Sequence, residues 1–218
     1  ALGAIGNSVM LFVPGNGTKN WEELSSLYGL EKEFQITWLP GIRVLRRYDF
    51  SMKAISQARR WGADLIYSWL PQAADLALWL GHPTIFEVHD RPSGHFGPFL
   101  FRQFCLFSTR KRMAVITHSL KRILQKEYEI NLPESDFIIA PNGVDWDRFA
   151  TQTESVEARR MLGLPDKLTA GFSGHFYPGR GTQMLYDLAR VFPDIQFLWI
   201  GGRKEDIAYW KNKSYAEG

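Results

Sequence analysis

The residues best able to do chemistry in this chain of 218 sit directly after short apolar runs. His89 and Asp90 follow the run 84–88. A His-Asp pair at a strand end can act as a general base, hydrogen-bond a substrate hydroxyl, or ligate a metal. The competing reading is a histidine that bonds a neighbouring carbonyl and caps a loop; the strand-end position favours a functional role. No His, Asp and Glu cluster recurs at ligand spacing, so no metal site is expected. A second group follows the run 168–172: Ser173, Gly174, His175, Phe176, Tyr177, Pro178, Gly179, Arg180, Gly181 and Thr182, leading into a helical pattern. A glycine-rich loop before a helix offers backbone N–H groups and the positive end of the helix dipole to a phosphate. Arg180 adds a bidentate clamp for phosphate oxygens. The loop matches neither the P-loop, which needs Gly-Lys-Ser/Thr, nor the dinucleotide fingerprint. Taken alone it reads as a packing loop. A similar turn, Gly201-Gly202-Arg203-Lys204, follows 195–200, and its two cations read as a solvated rim. Asn142-Gly143, inside Pro141-Asn142-Gly143-Val144-Asp145, is a turn dipeptide with Gly143 expected at positive φ.

These groups must be positioned by regular elements, and the sequence supplies them in alternation. Strand-like runs occupy 9–13, 35–39, 64–68, 84–88, 113–117, 137–140, 168–172 and 195–200. Helix-like stretches occupy 21–30, 50–61, 72–80, 98–112, 120–128, 154–162, 181–191 and 205–211. Apolar strands separated by helices imply βαβ units and parallel sheets. Pro71 and Pro83 are expected in loops flanking a helix. In such folds ligands bind beyond the carboxyl ends of the strands, where the groups above lie. The polar stretch 145–157 marks a domain boundary. The expected organisation is one α/β domain over 1–148, a linker over 149–157, and the start of a second domain over 158–218. The first should form one parallel sheet.

Composition narrows the function classes. Hydrophobic residues make up 45% and charged residues 22%, enough for a core. Net charge is +3, with 17 basic against 15 acidic residues over 1–148. That excludes a strongly basic nucleic-acid binder. The single cysteine, Cys105, excludes an internal disulfide and a cysteine-based zinc cluster. No apolar run is long enough for a membrane span and no signal peptide is evident, so a cytoplasmic setting is expected. The phenylalanine-rich stretch 96–112 ends in Arg110, Lys111 and Arg112. An aromatic helix with a basic end can lie on an anionic membrane, which gives a peripheral option. Apolar residues fall on too many of its faces for a clean amphipath. A buried helix with cations at its C-terminal end is therefore the preferred reading. Arg43, Arg46 and Arg47 form a second small basic group.

In order along the chain, several segments resemble glycosyltransferase family 4, the retaining enzymes of the GT-B fold. They are Val88-His89-Asp90, Val115–Ser119 before a helix, Pro141–Asp145 with Phe149 after it, Gly171–Gly174, Gly179-Arg180-Gly181, and Leu198–Gly202. The resemblance implies two Rossmann-like domains facing across a cleft, the second incomplete in this chain. It implies a nucleotide-sugar donor (a UDP- or GDP-sugar) on the C-terminal domain and a carbohydrate or lipid-linked acceptor on the N-terminal one. No metal or other cofactor is implied. Donor diphosphate contacts carry over to Gly174, His175, Gly179, Arg180 and Gly181. Contacts on the acceptor side or in the cleft are expected from His89, Asp90, Asn142 and Gly143. Arg180 stands where the family often has Lys before Gly. His175 stands where an Arg often follows Gly, which replaces a permanent cation by an imidazole.

Transfer with retention builds positive charge on the sugar and negative charge on the leaving diphosphate, and Arg180 with the loop favours the negative end. His89 would orient a sugar hydroxyl or the acceptor. The family's first strand and its later acidic motif are not found here. The chain is therefore expected to be a fragment without activity of its own. Two other readings stay open: a noncatalytic sugar- or nucleotide-binding module of the same fold, and a GT-B nucleotide-sugar epimerase.

Overall fold

The structure, a computed structural model, describes residues 2–17, 20–45, 47–108, 110–144, 146–150 and 153–217. The chain divides into two compact units, residues 1–144 and 145–218. In the first unit β1 (Met10–Pro14), α1 (Trp21–Tyr28), β2 (Gln35–Leu39), α2 (Tyr48–Trp61), β3 (Ile66–Ser68) and α3 (Pro71–Trp79) alternate. They are followed by β4 (Thr84–Val88), α4 (Gly97–Leu106), β5 (Lys111–Val115), α5 (His118–Tyr128) and β6 (Phe137–Ile139). Every strand pair is parallel. The second unit holds α6 (Trp146–Phe149), α7 (Ser155–Leu162), β7 (Thr169–Gly174), α8 (Thr182–Val191), β8 (Gln196–Gly201) and α9 (Lys204–Glu217), with β7 and β8 parallel.

The first unit does not form the single sheet expected from sequence. It has a two-stranded sheet, β1-β2, and a four-stranded one, β3-β4-β5-β6. Alternation dictates parallel strands but not which edges meet. Side chains join the two sheets: Phe12 of β1 packs beside Ile66 of β3 and Ile55 of α2, and also against Leu39 of β2 and Phe50 of α2. The main core lies on one face of the larger sheet. Phe86 and Val88 of β4 and Met113 and Val115 of β5 meet Leu78 of α3, Phe101 and Phe104 of α4, and Leu124 of α5. Each such side chain contributes about 1.5–3 kcal/mol on burial.

Local signals explain the helices. Phe50, Ala54, Ile55 and Ala58 place one buried stripe on α2, and Gly62 ends it at φ 82°. Thr117 caps α5 by accepting from the Leu120 N–H at 3.0 Å. Pro71 is not in a loop but opens α3 at its first turn, where its missing N–H costs nothing. Helix α4 stops at Leu106, short of Arg112, because the chain then pairs Lys111 with Thr84 as strand β5. The basic triplet is thus not a helix end. Lys111 is buried, its Nζ donates to the Phe107 carbonyl, and burial lowers its pKa. Phe101 and Phe104 are fully buried, whereas Phe96 and Phe99 are more than half exposed. Arg46 of the other basic group lies outside the described residues, as does the Arg43 side chain. Arg47 precedes α2 at φ 71° and is exposed.

The second unit is built on aromatic contacts. Trp199 of β8 lies 5.5 Å from Phe176 and 5.3 Å from Trp210 of α9, ring to ring. The Trp210 indole donates to the Phe176 carbonyl at 3.2 Å. Among the described residues of this unit only Phe176 and Thr182 are buried.

Candidate functional site

Strand β4 alternates buried and half-buried residues, so Thr84, Phe86 and Val88 enter the core while Ile85 and Glu87 face away. His89 follows at the strand end with its side chain 46% exposed. It therefore lies outside the core. Its Nε2 sits 2.6 Å from Glu87 Oε1. Glu87 Oε2 accepts from the Tyr67 hydroxyl at 2.6 Å and from the Trp69 indole N–H. Burial works against ionisation of Glu87, but these donors outweigh it and hold its pKa below the usual carboxylate value. Burial, and after it the same carboxylate, push the Tyr67 hydroxyl up to about 12. Asp90 accepts from the Arg91 N–H at 2.7 Å. The loop beyond is tied to α5 by an Arg91–Glu127 ion pair at 3.3 Å and a Tyr128 hydroxyl bond to the Pro92 carbonyl at 2.8 Å.

Sequence reasoning missed Tyr67, Trp69 and Glu87. The available signal was a lone carboxylate inside the apolar run Thr84–Val88, at the alternate position facing away from the core. Asn142 and Gly143 follow β6 and are exposed. Strand β5 separates β6 from β4 in the sheet. Gly143 does not take the expected positive φ, and its Cβ position is open space. The segment 141–144 runs on from the sheet without a turn, so nothing demands glycine's left-handed conformation. Asp145 lies outside the described residues.

In the second unit β7 and β8 end side by side on glycines, and the reason is steric. A Cβ on Gly201, at φ 112°, would meet the Gly174 carbonyl oxygen at 2.4 Å. One on Gly202, at φ 81°, would meet the Phe176 ring at 2.4 Å. The Gly202 N–H instead donates to the Gly174 carbonyl at 2.9 Å. The loop from His175 then turns through Gly179 (φ 93°) and Gly181 (φ 77°) into α8. Gly181 stands at the N-cap and carries no capping side chain. The first N–H groups of α8 are thus free of a side-chain cap.

Arg180 immediately precedes that cap. Its Nε and Nη2 donate to the Tyr177 hydroxyl at 2.9 and 2.6 Å, and the guanidinium lies 5.1 Å from the Tyr177 ring. His175 stacks on the same Tyr177 ring at 5.6 Å. Among the described residues no carboxylate pairs with Arg180. Its remaining N–H groups, those of Nη1 included, are directed donors for an anion. The sequence-named residues Gly174, His175, Gly179, Arg180 and Gly181 thus share one loop, whereas His89 and Asp90 belong to the other unit. Arg203 and Lys204 are exposed. A cavity of about 1060 Å³ opens beside the loop between α8 and α9. Gly179, Gly181 and Thr182 of the loop and helix start line it together with the carboxylates of Asp187, Glu205 and Asp206.

Among the described residues no group of three or more His, Cys, Asp or Glu side chains is placed to hold a metal ion. No helix among them is long and apolar enough to cross a membrane.

An α/β fold of parallel sheets, with a glycine-rich loop opening a helix in its second unit, defines a Rossmann-like chain of the GT-B kind. The profile of Glycosyltransferase Family 4 matches residues 1–148, and the chain belongs to that family. No curated protein matches it by sequence. Among solved structures it is similar to Anabaena Alr3699/HepE in complex with UDP-glucose, at 16% identity and a TM-score of 0.65, covering 94% of this chain and 57% of that one. The same Anabaena protein in complex with UDP aligns at 15% identity and a TM-score of 0.64, covering 94% and 64%. A glycosyltransferase from Rickettsia africae aligns at 12% identity and a TM-score of 0.63, covering 92% and 62%. The chain therefore spans less than two thirds of the length of each of these structures.

Proposed function

We propose that the chain carries the acceptor side and the donor-diphosphate loop of a glycosyltransferase that moves a hexosyl group from a nucleotide-sugar to a hydroxyl acceptor with retention. The observation that carries this reading is the strand–glycine–arginine–helix arrangement at Gly174–Thr182 in a chain of this family. Heterolysis of an anomeric C–O bond to phosphate places negative charge on the departing diphosphate. Uncapped N–H groups at the start of α8 and an arginine that no carboxylate among the described residues pairs with stabilise that charge as it forms. The Anabaena protein's complexes with UDP and UDP-glucose favour a uridine nucleotide as the donor moiety. His89 is the acceptor-side group, exposed at the end of β4. The donor is a co-substrate, and no metal or other cofactor forms part of the proposal.

The test is calorimetric titration of the chain with UDP, GDP and UDP-glucose, repeated with Arg180→Ala. Losing hydrogen bonds to a charged group costs about 1.5–3 kcal/mol, so UDP affinity is expected to fall about 10- to 100-fold. A folded Arg180→Ala chain that binds UDP as tightly as the parent removes Arg180 from the site. Absence of binding by all three nucleotides overturns the donor reading.

A further inference from the structure

The polar cluster at the ends of β3 and β4 is more ordered than a histidine on a strand end requires. The pairing of Tyr67 with Ile85 puts Tyr67 and Glu87 on the same face of the sheet, the one turned away from the main core. Three donors then converge on one carboxylate. The Tyr67 hydroxyl and the Trp69 indole N–H both use Oε2, which leaves Oε1 to His89. The Glu87 side chain is 13% exposed and the His89 side chain 46%, so the carboxylate is screened while the imidazole faces out. The Trp69 ring stands edge-on to the imidazole at 6.1 Å and walls one side of it. The neighbouring Asp90 Oδ1 accepts from the Arg91 N–H instead.

We infer that Glu87 is a positioning residue: it accepts the Nε2 proton of His89, fixes the ring, and leaves Nδ1 as the nitrogen open to an acceptor hydroxyl. An ionised carboxylate can only accept hydrogen bonds. Two further donors on Glu87 keep it in that form. The imidazole nitrogen facing it must therefore carry the proton. In the neutral ring the lone pair then belongs to Nδ1, the nitrogen that can receive the O–H of an acceptor. Tyr67 and Trp69 act one step further back, by holding Glu87. This inference rests on the reading of His89 as the acceptor-side group of a glycosyltransferase.

The test reads the ring directly. The chain is labelled with ¹⁵N in its histidine rings, and long-range ¹H–¹⁵N correlations are recorded at alkaline pH, with His89 assigned by its disappearance in His89→Gln. The expected spectrum is a single Nε2–H tautomer for His89. In Glu87→Ala that preference is lost and the signals average toward those of a free imidazole, while circular dichroism stays unchanged. An Nδ1–H or averaged tautomer in the parent chain overturns the inference, as does a Glu87→Ala spectrum identical to the parent's. The parent spectrum decides the matter even if Glu87→Ala does not fold. Failure of the transferase reading shows separately, as absence of nucleotide binding with the His89 tautomer still in place.

Discussion

Asp75 offers a quantitative test of how the first unit is held together. It lies on α3 among Ala74, Ala77 and Leu78, is 9% exposed, and its Oδ1 is buried without a hydrogen-bond partner among the described residues. Burial raises its pKa from 3.8 to about 7. A shift of about 3 units corresponds to about 4 kcal/mol between the ionised and neutral forms. The sign follows from proton linkage: the folded state holds this proton more tightly than the unfolded chain does. Stability is therefore lost as pH rises from about 4 through about 7, and the full cost is present above that window. The Cys105 thiol that senses it does not relieve the cost, because burial pushes that thiol up to about 12 and it stays neutral. Asp75→Asn keeps the shape and removes the charge. Its amide is also polar and buried, so the net gain at pH 8 is about 2–4 kcal/mol, with little change at pH 4.5. Urea unfolding of the chain and the variant at both pH values, followed by tryptophan fluorescence and circular dichroism, measures this. Equal midpoint shifts at the two pH values, or a less stable variant at pH 8, would show that the buried carboxylate is not the cause.

Two further substitutions probe the packing that supports each candidate group. Phe104→Ala removes a fully buried ring from the main core beneath β4 and should cost about 3–5 kcal/mol, read from the urea midpoint at pH 7. Gly201→Ala drives a Cβ to 2.4 Å from a backbone oxygen at φ 112°, so the ends of β7 and β8 must separate. It should abolish the near-ultraviolet circular dichroism of the Trp199 cluster; a spectrum like the parent's would mean the two strand ends tolerate the side chain.

Much of the secondary structure is legible in the residues themselves. Apolar runs of strand length, helical spacing such as Phe50–Ala54–Ala58, and stop signals such as Gly62 are local, and most elements obey them within a few residues, the ends of α4 and α9 excepted. The loop from Gly174 to Gly181 is equally local: strand, glycines, arginine and helix follow one another in sequence, so their proximity needs no long-range contact. What depends on distant partners was not legible. Lys111 reads as the end of a helix until Thr84 pairs with it and makes it a strand residue. Gly143 reads as a turn until the chain beyond β6 is seen to continue without reversing. Tyr67 and Glu87 lie 20 residues apart, and no spacing rule joins them. Sequence alone determined that His89 stands at a strand end, because the apolar run before it is uninterrupted but for one carboxylate. Only the parallel pairing of β3 with β4 decided what surrounds it, since that register places the Tyr67 hydroxyl and the Glu87 carboxylate on one face, with the Trp69 indole and the His89 imidazole closing on the same carboxylate.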